Sequence, residues 1–287
     1  MVEDAPILFL DSGVGGLPYL ESAAARLPHE RFVYLADRCN FPYGEKSPDE
    51  VRRAVTAAAV AAVAAHRAKA VVVACNTASV VALSSLRRRL ALPVVGVVPA
   101  VKPAAEYSRK RRIGVLATAR TVEDRYLAEL IARFAADCFV LRVAGGDIVS
   151  FVERRSFMSR GDERRAIVED AAAQFRAADL DTVVLGCTHF LQVEAELTAA
   201  LGPGIRVIDS REGVVRRLEA VLAENRLARA GGAGSNRGGG NARDNGVYGS
   251  LYVTEEPGSG AQGEDAYGLF AERYNLRYRG ALAGYTA

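Results

Sequence analysis

Two short stretches decide the reading of this chain: Val71-Val72-Val73-Ala74-Cys75-Asn76-Thr77-Ala78-Ser79 and Val183-Val184-Leu185-Gly186-Cys187-Thr188-His189-Phe190. In each, an apolar run rich in β-branched residues stops at a cysteine and continues in small polar residues. A run of that kind, without polar alternation, reads as a strand buried on both faces, the habit of parallel α/β sheets. Each stretch is followed by a segment of helical character. Each cysteine is therefore expected at the carboxyl end of a strand, where open α/β sheets bind ligands. A helix starting just behind the thiol would set its positive end near the sulfur and favour thiolate. Two such thiols in one chain predict one site with sulfur on two sides.

Working outward, Ile7-Leu8-Phe9-Leu10 reads as the opening strand, and Asp11-Ser12-Gly13-Val14-Gly15-Gly16-Leu17 as a tight turn into a helix. The turn is not GxGxxG and no Walker lysine follows, which argues against a nucleotide; Asp11 at the strand tip favours a site over an ordinary βα turn. Residues 32–36 form the second strand. The loop at 37–48, with Phe41, Pro42, Tyr43 and Gly44, suits substrate contacts beside a strand end. A long helix over about 48–69 follows, then the first cysteine strand, a helix to about 90, and a strand over 94–98. The prolines at 99 and 103 mark the crossover to a second unit. There Ile113-Gly114-Val115-Leu116-Ala117 repeats the opening strand and ends near Thr118 and Thr121. One helix is expected over about 121–135, a strand over 139–143, a helix over 148–154 carrying Glu153, and a helix over 162–178. After the second cysteine strand comes a helix over 192–201.

The order strand, polar tip, helices, strand, cysteine thus occurs twice at nearly the same spacing. It predicts an α/β fold of two similar doubly wound parallel-sheet domains facing each other across a cleft. Residues 1–98 with 210–287 would form the first domain and 99–209 the second. A late strand over 205–210 leads to a helix ending near 229. The Gly-, Asn- and Arg-rich segment 230–246 reads as a flexible loop, with order returning at 251–254 and in a helix over 265–274.

Composition narrows the function classes. Half of the 287 residues are hydrophobic and a quarter are charged, the balance of a soluble globular protein. A net charge of +3 and a pI near 8.7 are too mild to imply nucleic acid, and the arginines of 230–246 lack interleaved aromatics. The alanine-rich run from 54 to 65 is too short to span a membrane. The four cysteines, Cys39, Cys75, Cys138 and Cys187, form no CxxC pair. With no secretory signal read at the start, free thiols in a cytoplasmic protein are expected.

Two opposed thiols suit a particular chemistry. One thiolate takes a proton from carbon while the opposite thiol returns one on the other face, as inversion of a stereocentre requires. A cysteine hydrolase would need only one thiol and a base. Asp11 could tune Cys75, and His189 could tune Cys187. Ser12, Asn76, Thr77 and Thr188 offer neutral donors and acceptors to a zwitterion. Competing readings are core packing of either cysteine, capping by His189, a metal held by Cys75, Cys187 and His189, and a redox pair.

At these residues the chain resembles the glutamate racemases of the aspartate/glutamate racemase superfamily. The resemblance rests on Asp11-Ser12-Gly13-Val14-Gly15-Gly16-Leu17, Pro42-Tyr43-Gly44, Ala74-Cys75-Asn76-Thr77-Ala78-Ser79, Val97-Val98-Pro99-Ala100 and Gly186-Cys187-Thr188-His189-Phe190, five motifs in the family's order. It implies racemisation of L-glutamate to D-glutamate for peptidoglycan synthesis, without pyridoxal phosphate or metal. It implies that Cys75 and Cys187 are the acid/base thiols, with Asp11 assisting the first and His189 and Glu153 the second. Ser12, Tyr43, Gly44, Asn76, Thr77, Thr118, Thr121 and Thr188, with Asp11 and His189, would hold the substrate. A homodimer is the expected assembly. Two features depart from the family: Ala119-Arg120 stand where glycine is usual after Thr118, and the segment near 229–246 is extra. A racemase for aspartate or another acidic amino acid is the nearest alternative. A non-catalytic amino-acid-binding protein is the alternative of another class, separated by the absence of isotope exchange at the α-carbon.

Overall fold

The computed structural model describes residues 4–229, 247–255 and 264–285. Strand β1 (Ile7–Asp11) is the axis of the first sheet and runs parallel to both its neighbours, β2 (Phe32–Ala36) and β3 (Ala70–Val73). β4 (Val94–Gly96) lies beyond β3; β9 (Gly249–Val253) and β10 (Leu276–Ala281) extend the other edge. The order β10-β9-β2-β1-β3-β4 makes six parallel strands. The second sheet has four parallel strands in the order β6-β5-β7-β8: β5 (Arg112–Ala117), β6 (Phe139–Ala144), β7 (Thr182–Leu185) and β8 (Arg206–Ile208). The run β2-β1-β3-β4 therefore has the same order as β6-β5-β7-β8. In both, the chain reverses its direction of winding beside the first strand, which opens a crevice at the strand tips. Residues 98–99 and 209–210, the proposed domain boundaries, fall in the connections between β4 and helix α4 (Val101–Tyr107) and between β8 and helix α10 (Arg211–Glu224).

The strands read as unbroken apolar runs because both faces are covered. Ile7 and Phe9 point to one side of β1, and Leu8 and Leu10 to the other. On the second side lies α2 (Pro48–His66), whose Val51, Val55, Ala58, Ala59 and Ala62 are fully buried against the sheet. The small alanine side chains let that helix approach closely. The first side belongs to a core shared by the two halves, in which Phe9 and Tyr34 join one cluster with Leu116, Val149, Phe190 and Leu218. α1 (Leu17–Arg26) and α10 pack together beside it. No helix among the described residues is long and apolar enough to cross a membrane.

Several elements differ from the sequence expectation. The helix expected over 48–69 ends at His66, because Arg67 takes a left-handed conformation with φ of 51°. The single helix expected over 121–135 is two, α5 (Ala119–Glu123) and α6 (Arg125–Phe134). Asp124 separates them in extended backbone, with its side chain accepting from the Tyr126 N–H as an N-cap. The helix expected over 192–201 begins as a 3-10 turn, Thr188–Val193, before α9 (Glu194–Leu201). α10 stops at Glu224 rather than near 229. β10 was not anticipated: after buried Leu276, it alternates exposed and half-buried residues to Ala281, as an edge strand does. The glycine-rich segment 230–246 lies outside the described residues.

Candidate active site

The tips of β1, β3, β5 and β7 converge on one cavity of about 120 Å³. Cys75 follows β3 and Cys187 follows β7, each two residues past its strand, and both line the cavity. All four cysteines are free. Ser12, Tyr43, Gly44, Asn76, Thr77, Thr118 and His189 complete the expected lining, with Pro42, Glu45, Ala119, Gly146 and Val149 beside them. Asp11, Thr121, Glu153 and Thr188 stand one layer back: they hold the lining residues and do not line the cavity themselves.

Cys75 is the N-cap of α3 (Asn76–Arg89), and the Ala78 N–H favours its thiolate. That helix end was expected to favour thiolate. Burial outweighs it, and the Asp11 carboxylate adds to burial, so the thiol is held well above its ordinary range. Asp11 is itself fully buried and pushed up to about 6, although His189, the Ser12 N–H and the Thr188 hydroxyl all pull it down. Its Oδ1 accepts from Ser12 N at 2.7 Å and its Oδ2 from Thr188 Oγ1 at 3.0 Å. Protons thus rest readily on the Cys75 side of the cavity.

The Cys187 side carries a different charge pattern. His189 Nδ1 lies 3.9 Å from Cys187 Sγ, and its Nε2 lies 3.0 Å from Glu153 Oε2. Burial disfavours charge on His189, but its bonds to Cys187 and Glu153 raise it well above an ordinary histidine, so these two partners favour the protonated ring. Glu153, on α7 (Gly146–Arg154), also accepts from Val14 N at 2.9 Å and from the Tyr267 hydroxyl.

Each acid is therefore completed by the opposite half. Asp11 belongs to the first sheet and is gripped by Thr188 behind β7. Glu153 belongs to the second half and is gripped by Val14 behind β1 and by Tyr267 on α11 (Glu264–Arg273). Gln192 adds a further tie, donating to the Val14 carbonyl at 3.3 Å while accepting from Tyr274 at 2.9 Å.

Three threonines and a tyrosine are already engaged. Thr188 spends its hydroxyl on Asp11, Thr121 accepts from Thr118 at 3.0 Å, and Tyr43 turns its hydroxyl to Asp37. Tyr43 thus offers the cavity its ring and backbone only. Asn76 is the opposite case. It is 3% exposed, and neither its Oδ1 nor its Nδ2 has a hydrogen-bond partner. A buried amide left open costs about 1–3 kcal/mol, a loss that a polar ligand would recover. No lysine or arginine among the described residues lines the cavity. An anion would instead meet the amino ends of α3 and α7, with hydroxyls from Ser12 and Thr77.

Tyr34, Tyr267 and Gln192 were not singled out from sequence. Tyr34 donates to the Gly13 carbonyl at 2.7 Å and accepts from Gly16 N at 3.0 Å, clamping the glycine-rich turn. The only signal is a tyrosine within an apolar run, whose buried hydroxyl must find a partner.

The Asp/Glu/Hydantoin racemase family profile matches residues 19–218, well over half of the chain. The chain belongs to this family. Within the family, it is 43% identical over 221 residues to a glutamate racemase of Shewanella sp. (strain MR-7), covering 77% of this chain and 80% of the relative. It is similar in structure to Escherichia coli glutamate racemase, solved with L-glutamate and the activator UDP-MurNAc-ala, with a TM-score of 0.79 and 33% identity over 97% of this chain and 98% of the other. A glutamate racemase isoform from Bacillus anthracis gives a TM-score of 0.79 at 26% identity, over 99% and 100%. The two parallel-sheet domains are the architecture of these racemases.

Proposed function

We propose that this chain interconverts L- and D-glutamate by passing protons between Cα and two opposed thiols. The observation that carries the reading is the pair Cys75 and Cys187, brought by strands of opposite sheets to the wall of one cavity, each with its own buried acid. The likeness to glutamate racemases, at 43% identity to the Shewanella enzyme, supports glutamate as the substrate.

Inversion needs a base on one face of Cα and an acid on the other. One sulfur, as thiolate, takes the Cα proton and becomes a thiol; the carbanion takes a proton from the opposite thiol, which becomes thiolate. The substrate leaves inverted, the two sulfurs have exchanged states, and solvent resets them. Asp11 lies where it can accept the Cys75 proton, and the His189 imidazolium supplies counter-charge when Cys187 is anionic. The substrate's carboxylates are held by helix amino ends and hydroxyls, and the open Asn76 amide offers both a donor and an acceptor.

The test is proton NMR of the purified chain with L-glutamate in deuterated water, together with optical rotation. Loss of the α-proton and decay of rotation to zero are expected. Cys75→Ser and Cys187→Ser should each lower racemisation by roughly 10²–10⁴-fold. Wild-type turnover in both variants would sink the mechanism; ligand binding with no exchange would sink the reaction. A cytoplasmic homodimer supplying D-glutamate for peptidoglycan is the setting we propose, tested by light scattering and by rescue of a D-glutamate auxotroph.

A further inference from the structure

We infer that Tyr267 is a positioning residue for the Cys187 half of this reaction, fixing the Glu153 carboxylate that orients His189 against the thiol. The inference rests on the two-thiol reading above. Glu153 is 8% exposed, and its two oxygens have separate duties. Oε2 accepts from both Val14 N and His189 Nε2, while Oε1 accepts from the Tyr267 hydroxyl. Gly13 closes the remaining side, since a Cβ there would stand 2.2 Å from Oε2. The carboxylate is thus held on three sides, and among the described residues only the Tyr267 contact fixes Oε1.

The geometry downstream is sensitive to that rotation. His189 reaches Cys187 Sγ at 3.9 Å, already near the outer limit of a hydrogen bond to sulfur, so a small tilt of the ring breaks the contact. Tyr267 is well placed to prevent the tilt. It is 5% exposed, and one turn further on Phe270 packs edge-on against Phe157 at 5.9 Å between centroids, anchoring α11 just beyond the end of α7. Burial, reinforced by the Glu153 charge, holds the phenol well above its ordinary range, so it remains a donor throughout the neutral pH range.

Tyr267→Phe keeps the ring and removes the hydroxyl. The expected result is a kcat lower by about tenfold, the scale of one hydrogen bond to a charged group, with KM changed less than about twofold. The equilibrium constant between enantiomers is one, so kcat/KM must fall equally in both directions. The diagnostic is the isotope effect with α-deuterated substrate. It should rise for the enantiomer that Cys187 deprotonates, where the weakened step comes first. It should fall for the other enantiomer, where the weakened step is reprotonation by the Cys187 thiol. Cys75→Ser, which keeps only Cys187, identifies that first enantiomer by which one exchanges its α-proton in deuterated water. A purely structural role for Tyr267 would move neither isotope effect, and unchanged or equally changed effects overturn the proposal alone. Normal racemisation by Cys187→Ser overturns the two-thiol reading and this proposal with it.

Discussion

Asp11 shows what a single site residue costs the fold. Its carboxyl is raised from 3.8 to about 6 because burial disfavours the charge more than its donors favour it. A raised acid binds protons more tightly in the folded chain than in the unfolded one, so folding stability falls as pH rises from about 4 to 6 and then levels off. The scale at neutral pH is about 3 kcal/mol for a group this buried. Asp11→Asn should therefore unfold later than the parent chain at pH 8, by up to that amount, and by only about a third as much at pH 4.5. Urea melts of both proteins at the two pH values check this; an equal effect at both would refute it. The same substitution should abolish racemisation, since the amide cannot take the Cys75 proton.

The glycine-rich turn is the element whose function changes most once the chain is folded. By sequence it is a tight βα turn beside a candidate site. In the structure Gly13 and Gly15 leave room for side chains from the other half: a Cβ at Gly13 would lie 2.2 Å from Glu153 Oε2, and one at Gly15 would lie 2.5 Å from His189 Nδ1. Gly13→Ala should displace the Glu153 carboxylate, lower kcat by at least about tenfold and cost roughly 1–3 kcal/mol of stability. Gly213→Ala is the contrasting substitution, because nothing lies within 4 Å of its Cβ and α10 should gain up to about 1 kcal/mol from alanine's helix propensity. Activity assays and thermal melts of the pair separate a local clash from a general effect of removing glycine.

At the scale of the molecule, the two halves complete each other's acids. The Thr188 hydroxyl crosses from the second half to hold Asp11 at 3.0 Å, and it lowers the Asp11 pKa. Thr188→Val keeps the shape and removes that donor, so the pKa of Asp11 should move further upward. With ionised Asp11 needed to take the Cys75 proton, the acid limb of kcat/KM should shift to higher pH, and kcat/KM near pH 7 should fall by about tenfold. A pH profile from 5 to 9 for both proteins checks the sign. An unmoved limb would mean that Asp11 does not set it.

The sequence alone determined the strand–cysteine units, their repetition, the α/β class and most of the cavity lining. Those features are local: unbroken β-branched runs, small polar residues after a cysteine, and proline or glycine where the chain turns. Only the tertiary structure decided which residues stand behind the lining. Tyr34, Tyr267 and Gln192 lie far along the chain from the groups they hold, and no local pattern marks a hydroxyl that will meet a carboxylate across the cleft. The strand β10 escaped for a related reason, since an edge strand is half exposed and its alternation of apolar and charged residues is weak. The protonation of Cys75 was also decided in three dimensions. A helix amino end is visible in sequence, but the burial that outweighs it, and the neighbouring Asp11 that the pairing of β1 with β3 sets beside the thiol, arise only in the folded chain.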